Sequence, residues 1–214
     1  MAGLKVWGKT STANVQKAMW CLGELGIPYQ HAERAPARVA LWDEAYLGQK
    51  GHDVVPTIEE EDDFVLWEGN AIVRYLAAKY GGDGLWPGDP RMHADAGRWM
   101  DYQLSTVRVH IHPLMRETPD PGQAADHARR LAQAMMVPEH VLGVRDYLAG
   151  DRFTAADIPL GIMTYRWFVL EIGRPAMPNI EAWCRRLADR PAFRKHVIPP
   201  EDAFTPLRGG TRAP

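Results

Sequence analysis

Two short segments contain residue types that could hold a small peptide. Val55-Pro56 stands at the start of a predicted strand, and an X-Pro bond in such a tight turn can adopt the cis form. That turn would leave the N–H and C=O of Val55 facing outward, where an extended peptide can pair as an added strand. Further along, Glu68-Gly69-Asn70 opens a predicted helix, whose first N–H groups attract anions. Together the two segments predict a site for a short peptide that ends in a carboxylate.

The elements that must position these segments form an alternating pattern. Strands are predicted at Leu4–Trp7, Tyr29–Glu33, Thr57–Glu59 and Phe64–Trp67, with helices at Asn14–Leu25 and Ala71–Tyr80 and a short helix at 41–47. A helix between the first two strands implies a parallel pair, and the acidic turn at 60–63 implies an antiparallel hairpin. The segment therefore predicts a small α/β domain.

The α/β pattern ends at the Gly/Pro-rich stretch 83–89. Beyond it, apolar residues recur at the spacing of a helix almost throughout. Asp89-Pro90 predicts a cap and first turn for a helix that runs to about Ile111, with Pro113 stopping or kinking it. The segments 123–136 and 139–148 are predicted to form one helical stretch with a kink at Pro138. Further helices are predicted at 155–170 and at 179–187, the latter capped by Asn179. We expect domains at 1–82 and 90–198, a linker at 83–89 and an irregular tail at 199–214.

Composition narrows the classes of function. The formal net charge is −2 among 214 residues, and no basic block indicates nucleic acid. The apolar runs are shorter than a membrane span, and the first residues lack the apolar core of a signal peptide. Both cysteines, Cys21 and Cys184, fall in helical patterns, which favours a reduced, cytoplasmic protein with packed thiols. His110 and His112 are i, i+2 on a helix and face different ways, so no metal site is expected.

Four segments resemble the glutathione S-transferase family in order and spacing over about residues 4 to 197. They are Val6-Trp7-Gly8 leading into Val15–Trp20, Val55-Pro56, Leu66-Trp67-Glu68-Gly69-Asn70-Ala71-Ile72, and Tyr147–Asp151 followed by Phe153-Thr154-Ala155-Ala156-Asp157-Ile158. The resemblance implies an α/β thioredoxin-like N-terminal domain plus an all-α C-terminal helical domain, and a homodimer in the cytoplasm. Its implied role is detoxification.

The resemblance implies a thiol site in the loop between the first strand and the first helix. Glutathione must react as a thiolate, and donors near a helix N-terminus favour the ionised form of a thiol. Thr12 falls where serine-type relatives keep the catalytic hydroxyl, and Thr12-Ala13-Asn14 is similar to the Thr-X-Asn motif of a bacterial branch. The order of candidates is Thr12, Asn14 and Ser11. The alternative is that these residues only cap the helix.

The resemblance also assigns the peptide-binding residues. Val55 and Pro56 would pair with the cysteinyl unit, Glu68 with the γ-glutamyl ammonium, and the N–H groups of Gly69 and Asn70 with the γ-glutamyl carboxylate. The family has serine where Gly69 stands, so a Gly69→Ser change is expected to tighten binding.

Further candidates lie outside the two segments. The family's Asn-Pro-X-Gly lead-in to Val-Pro is replaced by Lys50-Gly51-His52-Asp53, from which His52 or Lys50 is a candidate for the glycyl carboxylate. Asp101 and Gln103 are candidates to reach glutathione from a partner subunit.

We therefore predict a glutathione S-transferase that conjugates the glutathione thiolate, as co-substrate, to a small apolar electrophile. Two alternatives stay open: a glutathione-dependent disulfide-bond reductase, and a weakly catalytic binding or scaffold member of the fold. No metal, nucleic acid or membrane partner is expected. Thr154-Ala155-Ala156-Asp157 fits a capping box, which makes Asp157 a folding element.

Overall fold

A computed structural model describes residues 3–33, 55–62, 64–116 and 120–198 of the chain. The chain forms two compact units, Met1–Gly82 and Asp83–Pro214. The predicted helix at 41–47, together with Lys50 and His52, lies outside the described residues.

The first unit contains a mixed four-stranded sheet. Its strands are β1 (Lys5–Trp7), β2 (Gln30–Ala32), β3 (Thr57–Glu59) and β4 (Val65–Trp67), in the spatial order β2-β1-β3-β4. β1 pairs in parallel with β2 and antiparallel with β3, which forms an antiparallel hairpin with β4. The parallel pair requires a crossover, which α1 (Ala13–Leu25) provides. The predicted α/β pattern is confirmed.

Two helices of this unit pack on each other beside the sheet. α1 ends at Gly26, as predicted, and α2 spans Gly69–Tyr80. Their apolar faces bury Trp20 and Leu76, and β1 and β3 contribute Val6 and Ile58, all with no exposed surface. Burial of side chains this large stabilises a unit by roughly 1.5–3 kcal/mol each, so the packing fixes how the starts of α1 and α2 lie against each other.

The second unit is helical. A short helix, α3, spans Gly82–Leu85, and the others are α4 (Pro90–Tyr102), α5 (Arg108–Leu114), α6 (Pro121–Leu142), α7 (Asp157–Val169), α8 (Pro178–Ala188) and α9 (Pro191–His196). A π-helical turn, Gln103–Val107, joins α4 to α5. Asp89 caps α4 by accepting from the N–H groups of Arg91 and Met92, as predicted. No helix in the described ranges is long and apolar enough to cross a bilayer.

The helical stretch predicted on both sides of Pro138 is one helix, because α6 continues through this residue. Proline removes the donor that would bond to the carbonyl four residues earlier. That carbonyl, of Ala134, instead accepts a hydrogen bond of 2.7 Å from the Tyr102 hydroxyl. The end predicted for this stretch at Leu148 is wrong, since α6 ends at Leu142 and Tyr147 bridges to Gly150.

The cap predicted at Asn179 is likewise wrong. α8 begins at Pro178, with Met177 at the cap position, because proline suits the first helical turn. The N–H groups of Asn179 and Ile180 donate instead to the carboxylate of Glu139, at 3.1 and 2.9 Å.

Asp157 makes one of the two bonds of the predicted capping box, while Ala156 occupies the N-cap position of α7. The carboxylate of Asp157 accepts from the N–H of Thr154 at 2.9 Å, from the N–H of Leu148 at 3.0 Å and from the Trp183 indole at 3.0 Å. Burial raises the pKa of Asp157 to about 6, although these hydrogen bonds favour its ionised form. Because one side chain satisfies donors on three segments, Asp157 holds the start of α7 in place.

Candidate functional site

The loop after β1 is brought close to the Val-Pro turn by a glycine. Gly8 has φ +130°, and a Cβ built on it would lie 2.5 Å from Cγ2 of Val15 and 2.9 Å from Cβ of Val55. A larger residue would therefore clash and would also be strained at this φ. Gly8 thus allows the end of β1, the start of α1 and the Val-Pro turn to meet.

A histidine that the sequence analysis did not single out also fixes this loop. A ring nitrogen of His31, on β2, lies 2.8 Å from the carbonyl oxygen of Gly8, and the Gly8 N–H donates to the carbonyl of Ala32. Both contacts come from the parallel strand. These two contacts fix Gly8, the first residue of the loop between β1 and α1.

Thr12 occupies the N-cap position of α1, but its side chain makes no cap hydrogen bond. The hydroxyl instead donates to the carbonyl of Lys9 at 2.9 Å, which also accepts from the Thr12 N–H at 3.0 Å. The capping alternative therefore does not describe the Thr12 side chain. The first N–H groups of α1 have no acceptor within the helix, so this end keeps its affinity for negative charge.

The Val55-Pro56 peptide bond is cis, as predicted. Val55 precedes β3 and lies outside the strand pairing of the sheet. Among the described residues, no backbone hydrogen bond uses its N–H or C=O. Its main chain is consistent with the edge-pairing role expected from the sequence.

Glu68 has an unusual backbone conformation at the start of α2. Its φ is +70° and ψ is +111°, and no other non-glycine residue in the described part of the chain has a positive φ. Such a conformation is costly for a residue with a Cβ and is concentrated at functional sites. The side chain is exposed and does not cap α2, so its carboxylate is available to a cationic ligand group.

Asn14 and Gly69 lie in contact across the two helix starts. A Cβ built on Gly69 would lie 3.3 Å from Cβ, Cγ and Oδ1 of Asn14. Asn14 is half-buried, and the hydrogen bonds among the described residues include none from its side chain. The sequence had not predicted this pairing.

One turn deeper, a second pair ties the same two helices. Lys17 on α1 is 1% exposed, and its ammonium donates to Oδ1 of Asn70 on α2 at 2.8 Å. The Asn70 side chain is thus turned inward, which leaves its backbone N–H as the group that the sequence assigned to ligand binding. A buried cation behind two helix starts adds to their positive potential.

The remaining candidate residues differ in how exposed they are. Ser11 is exposed in the loop before α1, and His52 lies outside the described residues. Asp101 is exposed on α4, whereas Gln103 is fully buried in the π-helical turn. Burial of Gln103 does not fit a side chain that reaches a ligand on another subunit, so Asp101 is the better of these two candidates.

Neither cysteine has a reactive environment. Cys21 and Cys184 are unpaired and buried, and loss of hydration raises the pKa of both thiols. Cys21 is packed inside α1 with Sγ 3.9 Å from the carbonyl oxygen of Val73. Neither cysteine is therefore placed to act as a nucleophile.

A pocket of about 400 Å³ in the first unit is lined by Leu4, Ile27, Glu60, Lys79 and Tyr80 among others. It lies beside the C-terminal end of α2, whereas Gly69 begins that helix. Twelve helical residues separate these ends, which corresponds to about 18 Å. We assign the chemistry to the helix starts, where the uncapped N–H groups lie. Within the described ranges, no group of three or more His, Cys, Asp or Glu side chains could hold a metal.

Comparison with known proteins shows the family to which the chain belongs. Residues 8–84 match the model of the glutathione S-transferase N-terminal domain, and residues 105–191 match that of the C-terminal domain. Glutathione S-transferase GstB of Escherichia coli K12 is 31% identical over 205 residues, covering 92% of this chain and 99% of that protein. This chain belongs to the glutathione S-transferase family. The family's two-domain fold is the one predicted from the sequence.

Solved structures of other members of the glutathione S-transferase family show the same fold. The theta class enzyme of Xanthomonas axonopodis pv. citri, with glutathione bound, is 36% identical with a TM-score of 0.81, over 93% of this chain and 99% of that one. A glutathione S-transferase of Pseudomonas fluorescens is 26% identical with a TM-score of 0.71, over 89% and 97%.

Proposed function

We propose that this member of the glutathione S-transferase family conjugates glutathione to a small apolar electrophile. The observation that carries the proposal is the meeting of three segments in one unit: the hydroxyl-bearing loop before α1, the Val55-Pro56 turn, and the uncapped start of α2. Their donors and acceptors match a peptide with a thiol-bearing middle residue and with a carboxylate and an ammonium at one end. The glutathione-bound structure of the Xanthomonas relative supports this choice of peptide.

The peptide is bound by main-chain groups and by one acid. Val55 pairs its N–H and C=O with the cysteinyl unit, as an added strand would. The N–H groups of Gly69 and Asn70 receive the γ-glutamyl carboxylate at the positive end of α2. Glu68, exposed and held at positive φ, faces the γ-glutamyl ammonium.

The chemical step needs an ionised thiol. The cysteine of free glutathione has a pKa near ~8.5, so most of it is protonated at neutral pH. Thr12 rotates its hydroxyl from the Lys9 carbonyl to the sulfur, exchanging a neutral acceptor for a charged one, which forms the stronger hydrogen bond. Ser11 and the backbone N–H of Asn14 are further donors near the same helix end.

The reaction then follows from the thiolate. The thiol proton leaves to water, the sulfur attacks an electrophilic carbon, a C–S bond forms, and the leaving group departs with the bonding electron pair. The protein's contribution is to hold the sulfur ionised and oriented while it excludes water. Burial of both cysteines in the described structure means that neither serves as the nucleophile.

Disulfide reduction is the second candidate, and it would also use the thiolate of bound glutathione. The Thr12-Ala13-Asn14 loop, which has hydroxyl and amide groups but no cysteine, favours it. Isothermal titration with glutathione tests binding, and parallel assays with an aryl halide and a model disulfide separate the two reactions. Absence of glutathione binding would leave the chain a scaffold member of the fold and contradict the proposal.

A further inference from the structure

The side chain of Asn14, on α1, lies against the first residue of α2. Its Cβ, Cγ and Oδ1 are all 3.3 Å from the Cβ position of Gly69, the first residue of α2. Gly69 itself is buried and has no side chain to offer a ligand. Apart from its chain neighbours Glu68 and Asn70, the side chain nearest to the Cβ position of Gly69 belongs to α1.

The Asn14 carboxamide has unused hydrogen-bonding capacity. An amide has two N–H donors and an oxygen acceptor, and within the described ranges this one is half-buried without a hydrogen bond. A ligand group that accepts hydrogen bonds at the start of α2 would meet the N–H donors of this amide.

The position of Asn14 is fixed by the contact beneath it. Lys17 follows Asn14 by three residues, so the two lie on the same side of α1. The 2.8 Å hydrogen bond from Lys17 to Asn70 sets the register between α1 and α2, and Asn70 is the neighbour of Gly69. Asn14 is consequently held opposite Gly69.

We propose that the carboxamide of Asn14 binds the γ-glutamyl carboxylate of glutathione at the start of α2, an inference that rests on the proposed function. Asn14 is then a binding residue for the peptide's acidic end, whereas the Thr-X-Asn resemblance assigned its side chain to the sulfur. A glycine at position 69 leaves room for the Asn14 amide, because a Cβ there would lie only 3.3 Å from its atoms. A serine at 69 and an asparagine at 14 are thus alternative ways to supply a side-chain donor here.

Three peptides distinguish the two ends of the ligand: glutathione, S-methylglutathione, and γ-aminobutyryl-cysteinyl-glycine, which lacks only the γ-glutamyl α-carboxylate. Asn14→Ala is expected to weaken glutathione and S-methylglutathione equally, by ~10-fold or more, as for one lost hydrogen bond to a charged group. The analogue without the carboxylate should weaken by less than ~3-fold. Isothermal titration measures all three.

Thr12→Ala is the matched comparison, since it changes a residue of the same helix start that we assign to the sulfur. It should weaken glutathione while leaving S-methylglutathione, which has no ionisable thiol, nearly unchanged. If Asn14→Ala shows this second pattern, or weakens all three peptides alike, the assignment to the carboxylate is overturned.

Gly69→Ser supplies an independent test. In the Asn14→Ala background, the serine should restore glutathione affinity by ~10-fold, whereas with Asn14 present the same change should improve it by less than ~3-fold. Gly69→Ala, which adds a Cβ without a hydroxyl, should give no rescue. An equal effect of Gly69→Ser in both backgrounds would overturn the pairing. If the unaltered protein binds no glutathione, the proposed function itself fails, which is a different outcome.

Discussion

The ammonium of Lys17 donates a 2.8 Å hydrogen bond to Oδ1 of Asn70, and neither side chain is more than 6% exposed. This contact joins α1 to α2 directly behind the two helix starts that form the candidate site. It is both a packing feature and a source of positive charge. Its loss should affect stability and ligand binding together.

Asn70→Ala should lower the free energy of unfolding by about 1.5–3 kcal/mol, as for a lost hydrogen bond to a charged group. Urea unfolding measures this directly. Gln123→Ala, an exposed amide on α6, is the control and should stay within about 0.5 kcal/mol of the unaltered protein. Equal stability of both variants would show that the Lys17–Asn70 contact contributes nothing.

Thr12→Ala separates catalysis from helix capping. Because the Thr12 side chain makes no cap hydrogen bond, its removal should cost less than about 0.5 kcal/mol of stability, whereas a lost cap costs about 1 kcal/mol. Removal of one donor to the thiolate should lower kcat/KM by ~10- to 100-fold. Thr12→Ser should retain most activity.

Thr10→Ala and Ser11→Ala complete that series. Thr10 is exposed in the same loop and is not assigned to the sulfur, so its replacement should leave kcat/KM within ~2-fold. Full activity in both Thr12→Ala and Ser11→Ala would show that neither hydroxyl serves the thiolate.

The buried carboxyl group of Asp157 should make the free energy of unfolding depend on pH. Its pKa is raised from 3.8 to about 6 in the folded protein, so between these values the folded state binds more protons than the unfolded state. Stability from this group is complete below about pH 4 and is lost as the pH rises through 6, by about 3 kcal/mol. Asp157→Asn, which cannot titrate, should lack this loss.

The measurement is the difference in unfolding free energy between the unaltered protein and Asp157→Asn at pH 4, 5, 6 and 7. As the pH rises, the unaltered protein should lose stability relative to Asp157→Asn. If the difference instead moves in favour of the unaltered protein, the hydrogen bonds to the carboxylate outweigh its desolvation.

The cysteines should resist alkylation in the native state. Burial raises the pKa of Cys21 and Cys184, so neither forms the reactive thiolate at neutral pH. Mass spectrometry after iodoacetamide should show modification of both only in denaturant, with native activity unchanged. Ser11→Cys is a positive control, because it places a thiol in the exposed loop. Rapid inactivation of the unaltered protein would contradict the assignment.

The elements of the first unit were predictable because local signals decide them. Gly26 ends α1, the acidic turn before Phe64 joins the β3–β4 hairpin, and Val55-Pro56 has the expected cis bond. In the second unit, the cap predicted at Asn179 was wrong, because its N–H donates to the Glu139 carboxylate, a tertiary partner that sequence spacing does not show. The hydrogen bond from the Tyr102 hydroxyl to the Ala134 carbonyl near Pro138 is likewise invisible in the sequence.

The candidate site was predictable by residue type but not by contact. The sequence pointed to Thr12, Val55 and Glu68, whose roles depend on loop position. It missed His31, which holds Gly8, and Lys17, because a helical lysine is usually solvated. The contact of Asn14 with Gly69 depends on how α1 packs on α2, and no local pattern encodes that packing.

The central claim is that the loop before α1 ionises the thiol of glutathione bound between the Val-Pro turn and α2. The most direct test is a pH titration of the thiolate's ultraviolet absorbance in the protein–glutathione complex, with the Thr12→Ala complex beside it. The account predicts that the bound thiol has a pKa at least ~1 unit below the ~8.5 of a free thiol, and that Thr12→Ala reverses most of this decrease. A bound thiol that titrates like free glutathione in both complexes would contradict it.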